Sequence, residues 1–152
     1  MPQIVGVRAA GSAFLHDAWA NNEDVLTKPP IAANTVADSI SAGLPRDRIK
    51  AVTAVRQTNG AFITVSDEQI LAAIPTLAQG SGIFAEPASA ATYAGFLKAA
   101  QTGLVGPEAR VALILTGNGL KDVASAMKSV GQAVSIPPQI TAVQRIFNQL
   151  GV

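Results

Sequence analysis

The segment that limits the possible folds of this chain most strongly is an aliphatic run ending in a threonine and a glycine turn. Residues 111–119 read Val-Ala-Leu-Ile-Leu-Thr-Gly-Asn-Gly, without alternation of apolar and polar positions. Such a run is typical of a strand covered on both faces, as in a parallel α/β sheet. Ligands in these sheets bind beyond the carboxyl ends of the strands. We therefore expect a small-molecule site at Thr116, with Gly117 and Gly119 allowing the backbone to approach the ligand closely.

The composition favours a single globular domain. Of the 152 residues, 49% are hydrophobic and 14% are charged, a balance that excludes an intrinsically disordered chain. The net charge is +1 and no Lys/Arg cluster is present, so nucleic acid and anionic membrane surfaces are not expected as partners. No apolar run approaches the roughly 18 residues that span a bilayer, and the N-terminus has no secretory pattern. We therefore expect a cytoplasmic protein with no membrane partner.

The inventory of reactive side chains is small. Cysteine is absent and His16 is the only histidine, so disulfides, a catalytic thiol and a cysteine or multi-histidine metal site are excluded, and no metal is expected. No Gly-x-Ser-x-Gly, Gly-x-Gly-x-x-Gly or P-loop motif occurs. A serine nucleophile needs an adjacent base, which argues against a hydrolase triad here. Each lysine lies beside polar residues or on a predicted solvated face, which does not favour a lysine nucleophile.

Strands and helices alternate along the chain, which predicts an α/β fold with at least three mainly parallel strands. The predicted strands cover residues 4–7, 61–65 and 111–115. The predicted helices cover residues 12–20, 35–42, a stretch opened by Pro45, a stretch following Ser66, and residues 87–101, 124–130 and 140–150. The segment Ser-Asp-Glu-Gln at 66–69 predicts a capping box, and Pro75 predicts a kink or an early end of the helix that contains it.

Four segments agree in order and approximate spacing with those of one enzyme family. They are Ile-Val-Gly-Val-Arg-Ala-Ala-Gly at 4–11, Val-Ser-Asp-Glu-Gln-Ile at 65–70, Gly-Ile-Phe-Ala-Glu-Pro-Ala-Ser-Ala-Ala at 82–91 and Leu-Ile-Leu-Thr-Gly-Asn-Gly-Leu-Lys-Asp at 113–122. They resemble the C-terminal part of threonine synthase, a pyridoxal-phosphate-dependent family with a tryptophan-synthase-β type of fold. The last two are the most specific, because related dehydratases and racemases share the third loosely and usually differ in the fourth.

The resemblance implies a lyase of threonine biosynthesis that converts O-phosphohomoserine and water into threonine and phosphate. It implies that Thr116 hydrogen-bonds the pyridine nitrogen of pyridoxal 5'-phosphate and that Gly117 lets the backbone approach the ring. Glu86 and Ser89 would lie near this site, without an assigned role. A hydroxyl does not keep the ring nitrogen protonated as an aspartate would, which makes the ring a weaker electron sink. The expected partners are the small-molecule substrate and a second copy in a homodimer.

The resemblance also implies that residues 1–152 form a single C-terminal fragment of the large cofactor-binding domain, in a doubly wound, mainly parallel, three-layer fold of type II. The family's Schiff-base lysine and glycine-rich phosphate loop belong to an N-terminal segment without a counterpart in this sequence. We therefore expect no catalytic residue in the chain and no activity of the fragment alone. Strand edges and apolar faces that the other half would cover are expected to cause self-association.

Two other functions stay open at the level of sequence. The first is a related pyridoxal-phosphate-dependent serine or threonine dehydratase, which residues of the N-terminal half would distinguish. The second is a complete, non-catalytic regulatory domain that binds a small ligand at the turn of residues 116–119. For Thr116 the simplest structural alternative is a buried hydroxyl bonded to neighbouring backbone.

Overall fold

Two parallel strands lie at the centre of the described part of the chain, residues 1–150 of the computed structural model. β1 (Val5–Ala9) pairs with β2 (Ala61–Val65) over their whole length. Because parallel strands need a crossover, the chain between them includes two helices, α1 (Phe14–Ala20) and α2 (Arg48–Gln57). Four more helices follow β2 within the described residues: α3 (Asp67–Ser81), α4 (Pro87–Gln101), α5 (Val123–Val130) and α6 (Ile140–Leu150).

Helices cover both faces of the strand pair. One buried cluster joins Ala9 and Val65 to α3 and α4, and a second joins Phe62 to α1 and α2. Since successive strand residues point to opposite faces, Phe62 and Val65 lie on opposite sides of the sheet. The three layers, with a parallel sheet between helices, confirm the expected α/β class. The buried cluster members are Ala9, Ala37, Val65, Ile70, Ala73, Ile74, Leu77, Ala85, Ala90, Ala91 and Ala94 on one face, and Phe14, Leu15, Ala18, Val25, Val52, Val55 and Phe62 on the other.

Local sequence signals set the ends of α3 and α4. Ser66 forms the predicted capping box: its Oγ accepts from the Gln69 amide at 3.2 Å, and its own amide donates to Gln69 Oε1 at 2.9 Å. Pro87 begins α4, at a position where an amide hydrogen has no helical partner. Gly103, with φ of +75°, follows the end of α4 in the left-handed conformation that glycine favours. The predicted starts of α3 and α4 and the predicted end of α4 are confirmed.

The last two helices expose apolar side chains. Met127 and Val130 of α5 are 62% and 68% exposed, and Ile140 of α6 is 77% exposed. Exposed apolar surface favours association with another surface, which is compatible with the expected self-association. The self-association itself stays a prediction. None of the helices described within residues 1–150 is long and apolar enough to cross a membrane.

The structure contradicts the third predicted strand. Residues 111–117 join no strand ladder, and only Asn118 forms an isolated antiparallel bridge, with Ala85. Ile114 is 77% exposed. A strand forms only where a neighbouring backbone takes its hydrogen bonds. An aliphatic run in the sequence indicates a tendency to be buried, but it does not indicate whether a neighbouring strand is present. Within the described residues the sheet consists of β1 and β2, which leaves this run without a partner strand.

Residues 35–42, predicted to be helical, contain only a 3₁₀ turn of 3 residues. The end of β1 holds this segment instead, since Arg8 Nη2 donates to Ile40 O at 2.7 Å. Ser12 Oγ accepts from the Ala42 amide at 2.9 Å. Burial lowers the pKa of the Arg8 guanidinium below its ordinary value. The hydrogen bond to Ser12 takes the Ala42 amide, which a helix over 35–42 would use internally, and this competition disfavours the predicted helix.

Helix α3 does not end at Pro75 but continues to Ser81, so the early end, one of the two predicted outcomes, is wrong. Proline lacks an amide hydrogen, so the helix loses one hydrogen bond there. Ile70, Ile74 and Leu77 of the same helix are nonetheless buried. Burial of three aliphatic side chains contributes more to stability than one backbone hydrogen bond, which accounts for the continuation of the helix.

Helix α4 lies close to β1 at Gly95. A Cβ at Gly95 would lie 2.4 Å from Val7 Cγ2 and 2.7 Å from Val7 Cγ1, well inside carbon–carbon contact distance. Gly80 of α3 differs, because no atom lies within 4 Å of the corresponding position. The absence of a side chain at Gly95 therefore sets the spacing between α4 and the sheet.

We expect Gly95→Ala and Gly80→Ala to change the free energy of unfolding in opposite directions. Alanine at position 80 restricts the unfolded chain and raises the free energy of unfolding by up to about 0.5–1 kcal/mol. Alanine at position 95 forces α4 away from Val7 and lowers it by about 1–3 kcal/mol. Urea denaturation measures both, and Val7→Ala combined with Gly95→Ala relieves part of the loss. Equal stability of the two single variants would contradict this packing.

Candidate functional site

The two most specific segments of the resemblance lie side by side. Residues 84–86 run antiparallel to residues 117–119. The Glu86 amide donates to Gly117 O at 3.1 Å, and a second backbone hydrogen bond of 2.9 Å joins the far ends of the two segments. This pairing places the residue after Thr116 beside the residue that precedes α4.

The carboxylate of Glu86 is buried against Gly117. A Cβ at Gly117 would lie 1.8 Å from Glu86 Oε1, so only glycine leaves room for the carboxylate. Lys121 Nζ lies 3.0 Å from Oε2 and 3.2 Å from Oε1 of Glu86. The Glu86 side chain is 7% exposed and that of Lys121 is 60% exposed. A buried carboxylate therefore meets a cation that reaches it from the solvent side.

Thr116 is exposed immediately before this turn. The interpretation of Thr116 as a buried hydroxyl is therefore wrong. On the other side of Gly117, Asn118 Oδ1 accepts from the Leu120 amide at 2.9 Å and begins a 3₁₀ turn over Gly119–Asp122. The turn is thus fixed by the side chains of Asn118 and Glu86, and the Thr116 side chain stays accessible to a ligand.

Asp122 caps α5 and does not pair with its neighbour Lys121. Its Oδ1 accepts from the Ser125 amide at 3.0 Å. Hydrogen bonds to the side chain and then to the backbone of Ser125 lower the pKa of Asp122. The adjacent residues Lys121 and Asp122 therefore use their side chains for two different contacts. The pairing of Lys121 with Glu86 spans 35 positions, and no spacing signal in the sequence predicts it.

Ser89 lies within the first turn of α4 and is buried. Its Oγ has no hydrogen-bond partner among the described residues, whereas buried hydroxyls ordinarily have one. Of the residues that the resemblance assigns to the site, Gly117 and Glu86 are in contact and Thr116 adjoins them. The structure shows no hydrogen bond that ties Ser89 to this group within residues 1–150.

A shallow cavity of about 160 Å³ adjoins the turn. It includes part of the 36–40 segment, which Arg8 holds at the carboxyl end of β1. This is the end of a parallel sheet at which ligands bind. No cluster of three or more His, Asp or Glu side chains suited to a metal ion occurs within the described residues. The cavity is lined by Val36, Asp38, Ser39, Glu86, Pro87, Ala88, Lys121 and Asp122.

Comparison with protein families identifies the class of enzyme. The family model described as "Pyridoxal-phosphate dependent enzyme" matches residues 1–117. The chain belongs to the pyridoxal-phosphate-dependent enzyme family. Its fold is also similar to the crystal structure of a threonine deaminase from T.th., with a TM-score of 0.58, 21% identity, and coverage of 76% of this chain and 39% of that chain. At this identity the likeness concerns the fold alone.

Curated relatives of this pyridoxal-phosphate-dependent chain are threonine synthases, which confirms the resemblance. The Mycobacterium leprae (strain TN) enzyme is 39% identical over 152 residues, which are 100% of this chain and 39% of that protein. The Halalkalibacterium halodurans enzyme is 39% identical over 91% of the chain and 36% of its own length. The Methanocaldococcus jannaschii enzyme is 32% identical over 99% of the chain and 37% of its own length. The chain therefore spans less than two fifths of each of these relatives.

We expect Gly117→Ala to destabilise the chain by displacing the Glu86 carboxylate. The new methyl group would overlap a buried side chain and lower the free energy of unfolding by about 1–3 kcal/mol. Gly106→Ala is the matched control, because no atom lies within 4 Å of its Cβ position. It should change stability by less than about 0.5 kcal/mol.

A double-mutant cycle in urea with Glu86→Ala isolates the cause of this destabilisation. Removing the Glu86 side chain removes the overlap, so Gly117→Ala should cost little stability in the Glu86→Ala background. Additive effects of the two substitutions would show that Glu86 does not require glycine at position 117.

Proposed function

We propose that this chain is the C-terminal part of a threonine synthase, which converts O-phosphohomoserine and water into threonine and phosphate. The observation that carries the proposal is the side-by-side placement of residues 84–86 and 117–119, which belong to the two most specific segments of the resemblance. The similarity to threonine synthases supports it, because it extends over 91–100% of the chain in the relatives named above.

The residues of the turn fit one part of pyridoxal phosphate. Thr116 is exposed, so its hydroxyl is available to donate a hydrogen bond to the pyridine nitrogen. The cofactor supplies an electron sink when bound, and the group facing the ring nitrogen tunes that sink. A threonine hydroxyl does not give up its proton at neutral pH, so it leaves the ring nitrogen unprotonated. Gly117 keeps the backbone beside the ring free of a side chain, and the Glu86 carboxylate lies against Gly117.

The remaining parts of the centre come, in this proposal, from polypeptide outside residues 1–152. Four of the five lysines have partners within the described residues: Lys121 pairs with Glu86, Lys28 with Glu23 and Lys50 with Asp47, and Lys98 donates to Thr64 O at 2.6 Å. We therefore assign the lysine that binds the cofactor, and the loop that binds its phosphate, to that further polypeptide. We also propose that the complete enzyme is a cytoplasmic homodimer and that this chain alone is inactive.

The alternatives differ in their products. A dehydratase would release ammonia and a 2-oxo acid from serine or threonine, and the fold likeness to a threonine deaminase is compatible with it. Sequence identity favours the synthase, at 39% against 21%. The third alternative, a non-catalytic regulatory domain, is not favoured for a chain that belongs to an enzyme family over residues 1–117.

We expect Thr116→Val to lower the turnover of the holoenzyme that contains this chain. Loss of one preorganised hydrogen-bond donor costs about 100-fold in turnover in comparable sites. Release of phosphate from O-phosphohomoserine and formation of threonine are the measurements. Thr76→Val is the matched control, since Thr76 lies on α3 and its Oγ1 donates to Ala72 O within the helix. Full activity of Thr116→Val would refute this role, and formation of a 2-oxo acid without phosphate would refute the synthase.

A further inference from the structure

We propose that Glu86 and Lys121 form a positioning pair that holds the Thr116 hydroxyl in place. This inference rests on the proposed function, because it gives the pair a role toward the same hydroxyl. The two residues are not expected to touch the cofactor. They act through Gly117, which lies between the Glu86 carboxylate and Thr116.

Glu86 contacts the turn twice. Its amide donates to Gly117 O at 3.1 Å, and its carboxylate lies where a side chain of residue 117 would otherwise be. The backbone of Gly117 is thus fixed from two directions by one residue. Since Thr116 is the next residue in the chain, any shift of Gly117 changes the position of the Thr116 side chain.

Lys121 keeps the Glu86 carboxylate in that position. It is the cation that pairs with Glu86 in the described part of the chain, at 3.0 Å. A buried carboxylate without a partner is strongly disfavoured, so loss of Lys121 drives the carboxylate toward solvent. This displacement loosens the contact with Gly117. Lys121 is itself 60% exposed, so its replacement leaves no cavity in the core.

The turn also links this pair to the rest of the site. Lys121 lies on the 3₁₀ turn that Asn118 begins, a few residues after Thr116. Its side chain contacts Glu86, so the segment from Thr116 to Lys121 is tied back to the residue that precedes α4. The loop is closed by an ion pair whose two ends come from the two segments of the resemblance. A group positioned to within about an ångström is what turnover in such sites requires, and a displacement of that size reduces rates by up to about 100-fold.

The test is a double-mutant cycle between Lys121→Met and Thr116→Val in the holoenzyme that contains this chain. Lys121→Met should lower turnover about tenfold, because the hydroxyl is displaced and not removed. In the Thr116→Val background Lys121→Met should have no further effect, since no hydroxyl remains to be positioned. Lys121→Arg should recover most of the activity. Lys50→Met is the control, because Lys50 lies on α2, is 88% exposed and pairs with Asp47, the residue that precedes that helix.

Hydrogen exchange supplies a readout that does not depend on turnover. The amides of Glu86 and Gly119 donate across the two paired segments. In the cofactor-free protein, Lys121→Met should raise their exchange rates, whereas Lys50→Met should not. Glu86→Gln, which keeps the shape of the side chain and removes its charge, serves as a second variant should Lys121→Met fail to fold, and it should reproduce both effects.

The outcomes separate the two proposals. If Thr116→Val is impaired and Lys121→Met reduces turnover equally in both backgrounds, or not at all, the positioning pair is refuted and the role of Thr116 stands. If Thr116→Val is fully active, the role of Thr116 fails and the positioning pair fails with it. Unchanged exchange of the Glu86 and Gly119 amides in Lys121→Met also overturns the inference.

Discussion

A parallel strand pair buried on both faces is the constraint on which the rest of this structure depends. Parallel strands cannot be joined by a hairpin, so the crossover brings helices onto the sheet, and the remaining face must be covered as well. Helix α4 meets that need by lying close to β1 at Gly95. Its first turn then extends to the carboxyl end of β1, which is where Glu86 meets the turn at Gly117.

The Glu86–Lys121 ion pair has more influence on geometry than on stability. Its cation is mostly in water, where an ion pair contributes little to the free energy of folding. Its carboxylate is buried, so the position of that carboxylate is strongly restricted. If further polypeptide covers this site in the complete enzyme, loss of water would strengthen the attraction, because electrostatic interactions grow as the local dielectric falls. The site would then become more rigid on assembly.

Elements with local signals could be predicted from the sequence. The β-branched strand at Ala61–Val65, the capping box at Ser66 and the proline start of α4 each depend on neighbours within a few residues. Local signals could not show that the strand predicted at 111–115 is absent, because strand formation depends on a partner backbone. The helix predicted at 35–42 is also absent, because residues distant in sequence, Arg8 and Ser12, bond to its backbone.

The candidate site divides in the same way. Thr116, Gly117 and Glu86 were accessible from the sequence because they belong to motifs that resemble those of one family. Lys121 lies in one of these motifs, but its partner is remote in sequence and no periodicity connects the two residues. The exposure of Thr116 also could not be predicted, since the aliphatic run before it indicated a buried strand. Tertiary contacts, and not local propensity, decide both features.

The most direct test of the central claim is the nitrogen-15 chemical shift of the pyridine nitrogen in the bound cofactor. The claim is that the Thr116 hydroxyl donates a hydrogen bond to this nitrogen and leaves it unprotonated. We expect a resonance in the range of an unprotonated, hydrogen-bonded pyridine at neutral pH, and a shift of that resonance in Thr116→Val. A protonated nitrogen, or a resonance that Thr116→Val leaves unchanged, would contradict it.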